Sequence, residues 1–237
     1  MPTVNYQVAA DVLKKLRAID SCTVSNAIEQ LEIRLRNEGF VRGCVRSMTP
    51  SLPPMVGHAA TGRIRTAEVP TTKHRYYHRI DWWSYLLTIP EPRVIVLQDV
   101  DERPGLGAFF DEIHAHIALP LGCVGYVTDG AARDVPGIER TGFHLFASEM
   151  SVSHAYAHVL DFGEPVEIGG LIVKPGDLLH GDRHGIVSVP ISAAPEIPRI
   201  ASELRRGERE IIQLCQSPGF SLKDLREYLE RNEPTLE

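Results

Sequence analysis

The residues best placed to do chemistry are an adjacent arginine and aspartate, Arg133-Asp134, which follow Thr128-Asp129-Gly130-Ala131-Ala132. Residues 123–128 read as a strand and Asp129-Gly130 as its turn, so the pair emerges at a strand's carboxyl end, where α/β sheets place ligands. Arginine offers a planar fork to a carboxylate. The neighbouring aspartate can hold a hard divalent cation beside it. The same two residues also read as a structural ion pair on a turn. A second stretch, Gly105-Leu106-Gly107-Ala108-Phe109-Phe110-Asp111-Glu112, is a glycine-bearing loop running into a helix. Free N–H groups at such a start attract anions. Phe110 stands where a dinucleotide fingerprint needs its third glycine, and the lysine of a P-loop is missing. An ordinary loop with two acids near a helix start is the alternative reading.

Ten histidines include three suggestive pairs. His154 and His158 are four apart on an expected helix and could share a metal. His180 and His184 bracket Gly181-Asp182 in a turn, and His114 and His116 lie on the helix after the glycine loop. No His-Glu-x-x-His or cysteine cluster accompanies them, so a zinc site is not indicated. The segment around His154-Ala155-Tyr156 reads as packing or subunit contact. Cys22, Cys44, Cys123 and Cys215 are far apart and form no Cys-x-x-Cys, and are read as small apolar thiols in the interior. The five lysines (Lys14, Lys15, Lys73, Lys174, Lys223) all lie outside the two motifs, so a Schiff-base mechanism has no candidate.

The elements that must position these residues follow from periodicity. Residues 8–19 and a second stretch from Asp20 or Ser21 to about Leu31 carry apolar residues at helical spacing. Residues 59–65 and 93–98 read as strands, the latter a continuous β-branched run suited to burial on both faces. Residues 82–87 read as a helix. Then a strand–loop–helix rhythm sets in: helix 108–119, strand 123–128, helix 135–141, strand 143–147. This alternation predicts an α/β layer architecture. Strands at 166–173 and 178–190 and helices at 198–215 and 221–231 complete the chain. Residues 69–79, with Lys73, His74, Arg75, His78 and Arg79, read as a solvated basic face, or as a funnel for an anionic substrate or a partner surface.

The composition narrows the classes. The 237 residues are 43% hydrophobic and 24% charged, with a net charge of −6. These values exclude wholesale disorder. The acidity argues against a dedicated nucleic-acid partner. No apolar run is long enough to span a bilayer and no leader is evident, so a cytoplasmic protein with reduced thiols and no membrane partner is expected.

Twenty residues separate Glu112 from Arg133. An acid, twenty residues, then Arg-Asp resembles the signature of class II pyruvate aldolases acting on 4-hydroxy-4-methyl-2-oxoglutarate and 4-carboxy-4-hydroxy-2-oxoadipate. Those enzymes share a fold with RraA, the regulator of ribonuclease E activity, in which a glycine tends to replace the first acid. Thr23-Val24-Ser25-Asn26-Ala27, Gly57-His58-Ala59-Ala60-Thr61, Ile168-Gly169-Gly170, Pro175-Gly176-Asp177 and Asp182-Arg183-His184-Gly185 resemble further stretches of that family, with Asn26 in place of its usual aspartate. Residues 69–89 have no counterpart in its short pattern.

The resemblance implies a layered α/β sandwich with a compact β core of the swivelling β/β/α type. It further implies a single domain over residues 1–237, with helices at about 8–31 and 198–231. By the same resemblance Asp134 would bind Mg²⁺ or Mn²⁺, and Arg133 would contact the carboxylate and keto oxygen of the pyruvyl group. Asp111, Glu112, Ile113 and His114 would cradle substrate through backbone amides, and Glu112 would order metal-bound water. Glu208 or Glu210 would match an acid supplied by a neighbouring subunit of a homotrimer or hexamer. The expected activity is a divalent-metal-dependent lyase releasing pyruvate from a 4-hydroxy-2-oxo acid, or decarboxylating oxaloacetate. The rival is a regulator that inhibits a ribonuclease by contact. A methyltransferase reading finds no suitable cofactor-binding glycine loop.

Overall fold

The computed structural model describes residues 8–70 and 80–232. Most of the basic stretch at 69–79 therefore lies outside the described residues. The architecture is mixed α/β, with one large sheet, helices on its faces and helices at both ends. The strand Arg93–Asp99 (β3) shows why. Ile95 and Leu97 point into one core and Val94 and Val96 into another, so successive side chains feed opposite faces. Such a strand must be central. β3 lies between Met55–Arg65 (β2) and Cys123–Thr128 (β4), parallel to both, and His144–Ala147 (β6) extends the parallel run. The short Arg46–Ser47 (β1) closes that edge antiparallel.

On its other side the eleven-residue β2 pairs with two strands in turn. Its first half meets Leu178–Asp182 (β11), which continues to Gly185–Val189 (β12). Its last residues meet His158–Phe162 (β8), a strand that periodicity does not predict. A small hairpin, Val166–Ile168 (β9) with Leu171–Val173 (β10), covers one face over Val94, Val96, Val127 and Phe146. The helices Ile80–Leu86 (α3), Glu112–Ala118 (α4) and Val135–Arg140 (α5) cover the other. There Trp82, Phe110, Tyr126, Ile138 and Phe143 are buried, each large apolar side chain contributing about 1.5–3 kcal/mol or more.

The end helices Ala10–Leu16 (α1), Ser21–Gln30 (α2) and Ile197–Cys215 (α6) pack on β11 and β12 through Leu16, Val24, Ile28, Val187 and Ile197. Asp20 caps α2, accepting from the Thr23 amide at 2.9 Å, and also takes Arg205 of α6 at 2.9 Å. His180 of β11 bridges the junction of the first two helices. Its Nε2–H donates to the Leu16 and Ile19 carbonyls at 3.1 and 3.0 Å, and its Nδ1 accepts the Ser21 hydroxyl at 3.0 Å. The last helix, Leu222–Asn232 (α7), lies against an otherwise exposed half of α6.

Three expectations are corrected. His154 and His158 do not share a helix: His154 sits in a turn and His158 starts β8, its Nδ1–H donating to the Tyr156 carbonyl at 2.7 Å. Of the four cysteines only Cys123 is buried; Cys22, Cys44 and Cys215 are exposed, because their elements lie on the surface. The helix expected from 108 begins at Glu112, since residues 108–111 are drawn across the sheet end, where Ala108 bridges Ala131 and donates to the Ser153 carbonyl. Among the described residues no helix is long and apolar enough to cross a membrane.

Candidate active site

Two helix starts meet at the carboxyl end of the parallel strands. The first belongs to α4. Asp111 is its N-cap, with Oδ1 accepting from the His114 amide at 2.9 Å and from His114 Nδ1–H at 2.7 Å. Asp111 and His114 are both buried, the His114 ring among Phe109, Phe110 and Trp83. Burial opposes the Asp111 charge, but the two His114 hydrogen bonds, together with the His114 and His154 rings, outweigh it and hold the carboxyl at about 2. The amides of Glu112 and Ile113 make no hydrogen bond among the described residues. That of His114 is committed to Asp111, and its ring points into the core. Of the four residues expected to cradle a substrate through backbone amides, His114 has its amide committed to the cap, and that of Asp111, like those of Glu112 and Ile113, makes no hydrogen bond among the described residues.

The second start belongs to α5, and its N-cap is Asp134. Here the side chain makes no capping bond. The backbone sits in the left-handed region (φ 52°), which non-glycine residues rarely adopt. The turn is forced by the tiny strand Ala131–Ala132 (β5), which pairs with Glu149–Met150 (β7) and carries the chain straight from the sheet into α5. The Arg133 side chain is 27% exposed and that of Asp134 39%. Arg133 Nε is buried and has no hydrogen bond, its nearest anion being Asp134 Oδ1 at 3.5 Å.

Glu112 links the two starts. Its carboxylate lies over Gly137, where any Cβ would collide with it, and is 3.8 Å from Arg140. Gly137 is on the first turn of the helix that Asp134 caps, its amide donating to the Asp134 carbonyl at 2.9 Å. The fold thus gathers Glu112, Arg133 and Asp134, twenty residues apart in sequence, at one end of the sheet. Glu208 and Glu210 are elsewhere, on the exposed half of α6, where Glu210 accepts from the Tyr228 hydroxyl at 3.2 Å.

Two features differ from the sequence reading: a carboxylate pair it does not single out, and a histidine it reads as half of a metal pair or as packing or subunit contact. Asp99 and Asp129 end β3 and β4 side by side, the Asp129 carboxylate accepting the Asp99 amide at 2.8 Å. Burial, reinforced by the charges of Asp99 and Glu167, pushes Asp129 up to about 6 despite that bond. The other is His154, 3.4 Å from Asp111 Oδ2. Its signal was position: it lies in the loop after β6, the next parallel strand, at the same sheet end as Arg133.

Among the described residues no group of three or more His, Cys, Asp or Glu side chains is arranged to hold a metal. A cation here would rest on the Asp134 carboxylate and water, a mode that suits Mg²⁺. The oxygen donor, its exposure and its lack of a capping bond fit that role. Two cavities of about 870 and 910 Å³ lie elsewhere, one between α2, α6 and α7, the other between α1 and the amino ends of β3 and β4.

A family model described as RraA-like, Aldolase/RraA, matches residues 21–188. The chain belongs to the RraA-like family. Both helix starts fall inside the matched span of this RraA-like chain. A relative named as a putative 4-hydroxy-4-methyl-2-oxoglutarate aldolase, from Halalkalibacterium halodurans, is 31% identical over 75 residues, 31% of this chain and 36% of that one. Matches to curated relatives span 23% to 64% of those relatives' lengths. A crystal structure of an uncharacterized protein from Pseudomonas syringae superposes with a TM-score of 0.71 at 26% identity, covering 94% of this chain and 97% of that one. RraAS2 of Streptomyces coelicolor, described as an unusual member of the RNase ES inhibitor RraA protein family, shares the fold. Its TM-score is 0.64 at 21% identity, with 87% of this chain and 97% of that one covered. The family contains both aldolases and RraA regulators.

Proposed function

We propose that this RraA-like chain is a divalent-metal-dependent lyase of the cytoplasm that releases pyruvate from a 4-hydroxy-2-oxo acid, with oxaloacetate decarboxylation as a companion activity. The observation that carries the reading is the α5 start. Asp134 offers a carboxylate not used to cap its own helix, beside an Arg133 guanidinium whose Nε lacks a hydrogen bond. A buried donor left without a partner is costly, on the order of 1–3 kcal/mol, and marks a place where a ligand can complete the pairing. The aldolase named among the relatives supports the same reading.

Asp134 would hold Mg²⁺ or Mn²⁺. When bound, the ion supplies positive charge that polarises the 2-oxo acid. Arg133 binds the substrate carboxylate with its planar fork and offsets the negative charge that builds on the keto oxygen as the carbon–carbon bond breaks. Glu112, held over Gly137, orders water that takes the proton of the 4-hydroxyl group. The amides of Glu112 and Ile113 face the same end of the sheet and can receive a substrate oxygen. A homotrimer or hexamer would bring Glu208 or Glu210 of a neighbouring copy to this end.

The test is pyruvate formation from 4-hydroxy-4-methyl-2-oxoglutarate and from oxaloacetate, with Mg²⁺ and with Mn²⁺. Turnover should be metal-dependent in the wild type and absent in Asp134→Ala. A wild type inert on both substrates with both metals rejects the lyase and favours the contact regulator.

A further inference from the structure

We infer that His154 is a positioning residue of this site, bridging the Ala108 carbonyl and the Asp111 carboxylate so that the start of α4, and with it Glu112, is held against α5. The inference rests on the lyase reading for its kinetic consequence but not for its geometry.

His154 Nδ1 lies 2.7 Å from the Ala108 carbonyl oxygen, a pure acceptor, so Nδ1 carries a hydrogen. Nε2 lies 3.4 Å from Asp111 Oδ2, a carboxylate oxygen that likewise only accepts, so the bridge is that of a ring carrying hydrogen on both nitrogens. Asp111 Oδ1 is already taken by the amide and ring of His114. One buried carboxylate is therefore flanked by an imidazole on each oxygen, one from its own helix and one from a loop 43 residues on in sequence.

The turn that presents His154 is held in place against cost. Ala155 has φ 47°, in the left-handed region, and is one of three described non-glycine residues with positive φ; Asp134 is another. A methyl-bearing residue is disfavoured there, its Cβ crowding the following carbonyl oxygen. The His154 carbonyl lies so close to Gly107 that a Cβ at Gly107 would collide with it. Ser153 accepts the Ala108 amide at 2.9 Å, and Ser151 donates its amide to Ala132, the residue before Arg133, at 3.0 Å. One short loop thus touches both helix starts: Ala132 at the base of α5, then Ala108 and Asp111 at the base of α4. A strained turn pinned at both ends is an arrangement for placing the ring between them.

The two ring contacts can be separated by amide isosteres. The carboxamide nitrogen of asparagine falls near the place of Nδ1, and that of glutamine near the place of Nε2. His154→Ala should lower kcat about 10- to 100-fold, the usual consequence of losing a group that orients a functional one. KM should stay within a few-fold, because Arg133, which binds the substrate carboxylate in the ground state, is untouched. His154→Gln should recover most of kcat and His154→Asn little of it, with all three variants unfolding at similar urea concentrations. An alanine variant with wild-type kcat overturns the proposal. So does an alanine loss that neither amide repairs, or one that asparagine alone repairs.

Imidazole ¹⁵N spectra of the inactive or active protein test the bridge itself, independently of turnover. In the wild type both ring nitrogens of His154 should be protonated, and Asp111→Asn should shift the Nε2 resonance while leaving Nδ1 protonated. A His154 spectrum indifferent to Asp111→Asn overturns the bridge even if the chain is a lyase. A responsive spectrum in a protein inert on every substrate leaves the bridge standing and removes the lyase.

Discussion

Two aspartates open two short helices at the same end of the same sheet, and they are used in opposite ways. Asp111 is buried and gives one oxygen to the amide and ring of His114, so its carboxylate serves the fold. Asp134 is over a third exposed, caps nothing with its side chain and sits in a strained backbone conformation. Where a carboxylate is saturated by its own chain it stabilises. Where it is held open beside an arginine lacking a hydrogen bond, the fold has forgone local stability and leaves room for a ligand.

The sharpest way to break the contrast is Asp134→Gly. It should abolish metal-dependent pyruvate release without lowering stability, because glycine relieves the left-handed conformation that aspartate tolerates at a cost of about 1–2 kcal/mol. Urea denaturation beside the activity assay decides it, and a destabilised variant would show that Asp134 supports the fold after all. Asp111→Ala should do the reverse to the structure. Loss of the cap and of the partner to a buried His114 N–H should cost about 2–4 kcal/mol.

The Asp111 carboxyl also predicts a pH dependence. Its folded value, about 2, lies below the ordinary 3.8. Its contribution is present in full above about pH 4 and is lost as the pH falls towards 2. Asp111→Asn keeps the cap and should remove that share of the acid limb in equilibrium unfolding. The smallest structural effect belongs to Gly137→Ala. Alanine favours a helix by about 1 kcal/mol over glycine, yet its methyl would displace the Glu112 carboxylate. Stability should hold or rise slightly while kcat falls about 10- to 100-fold. Unchanged turnover would remove Glu112 from the mechanism.

Much of this frame is legible in the sequence. The run Val94-Ile95-Val96-Leu97 announces a strand buried on both faces because only a central parallel strand hides every side chain. Asp129-Gly130 and the apolar run before it place Arg133 and Asp134 at a strand end. What stays hidden depends on contacts distant in sequence. β8 is invisible because its exposed residue is the apolar Leu160 while Asp161 is half-buried against Arg63, which breaks polar-out alternation; it exists because β2 offers an edge there. The spacing of His154 and His158 mimics a helix, but Ala155 turns left-handed between them, set by packing against Gly107. The cysteines carry no signal for the side of the element on which they fall.

The His180 bridge makes the amino-terminal helices answer to acid. The ring must be neutral at Nδ1 to accept the Ser21 hydroxyl while Nε2–H serves two carbonyls. Burial, against the pull of the Leu16 and Ile19 carbonyls and of Asp182 and Asp20, keeps its value below the ordinary 6.5. A histidine whose folded value is depressed supports the native state fully above 6.5 and ceases to as the pH drops through the folded value. Amide protection factors in α1 and the first turn of α2, taken against the slower intrinsic exchange at lower pH, should therefore fall on mild acidification. The amides of β3 and β4 should keep their protection, because the carboxyls at the strand ends, Asp99 and Asp129, have raised values and favour the native state as they protonate. The acid response would begin at the amino-terminal helices and reach the sheet through His58 of β2 and His144 of β6, buried rings whose values burial also depresses.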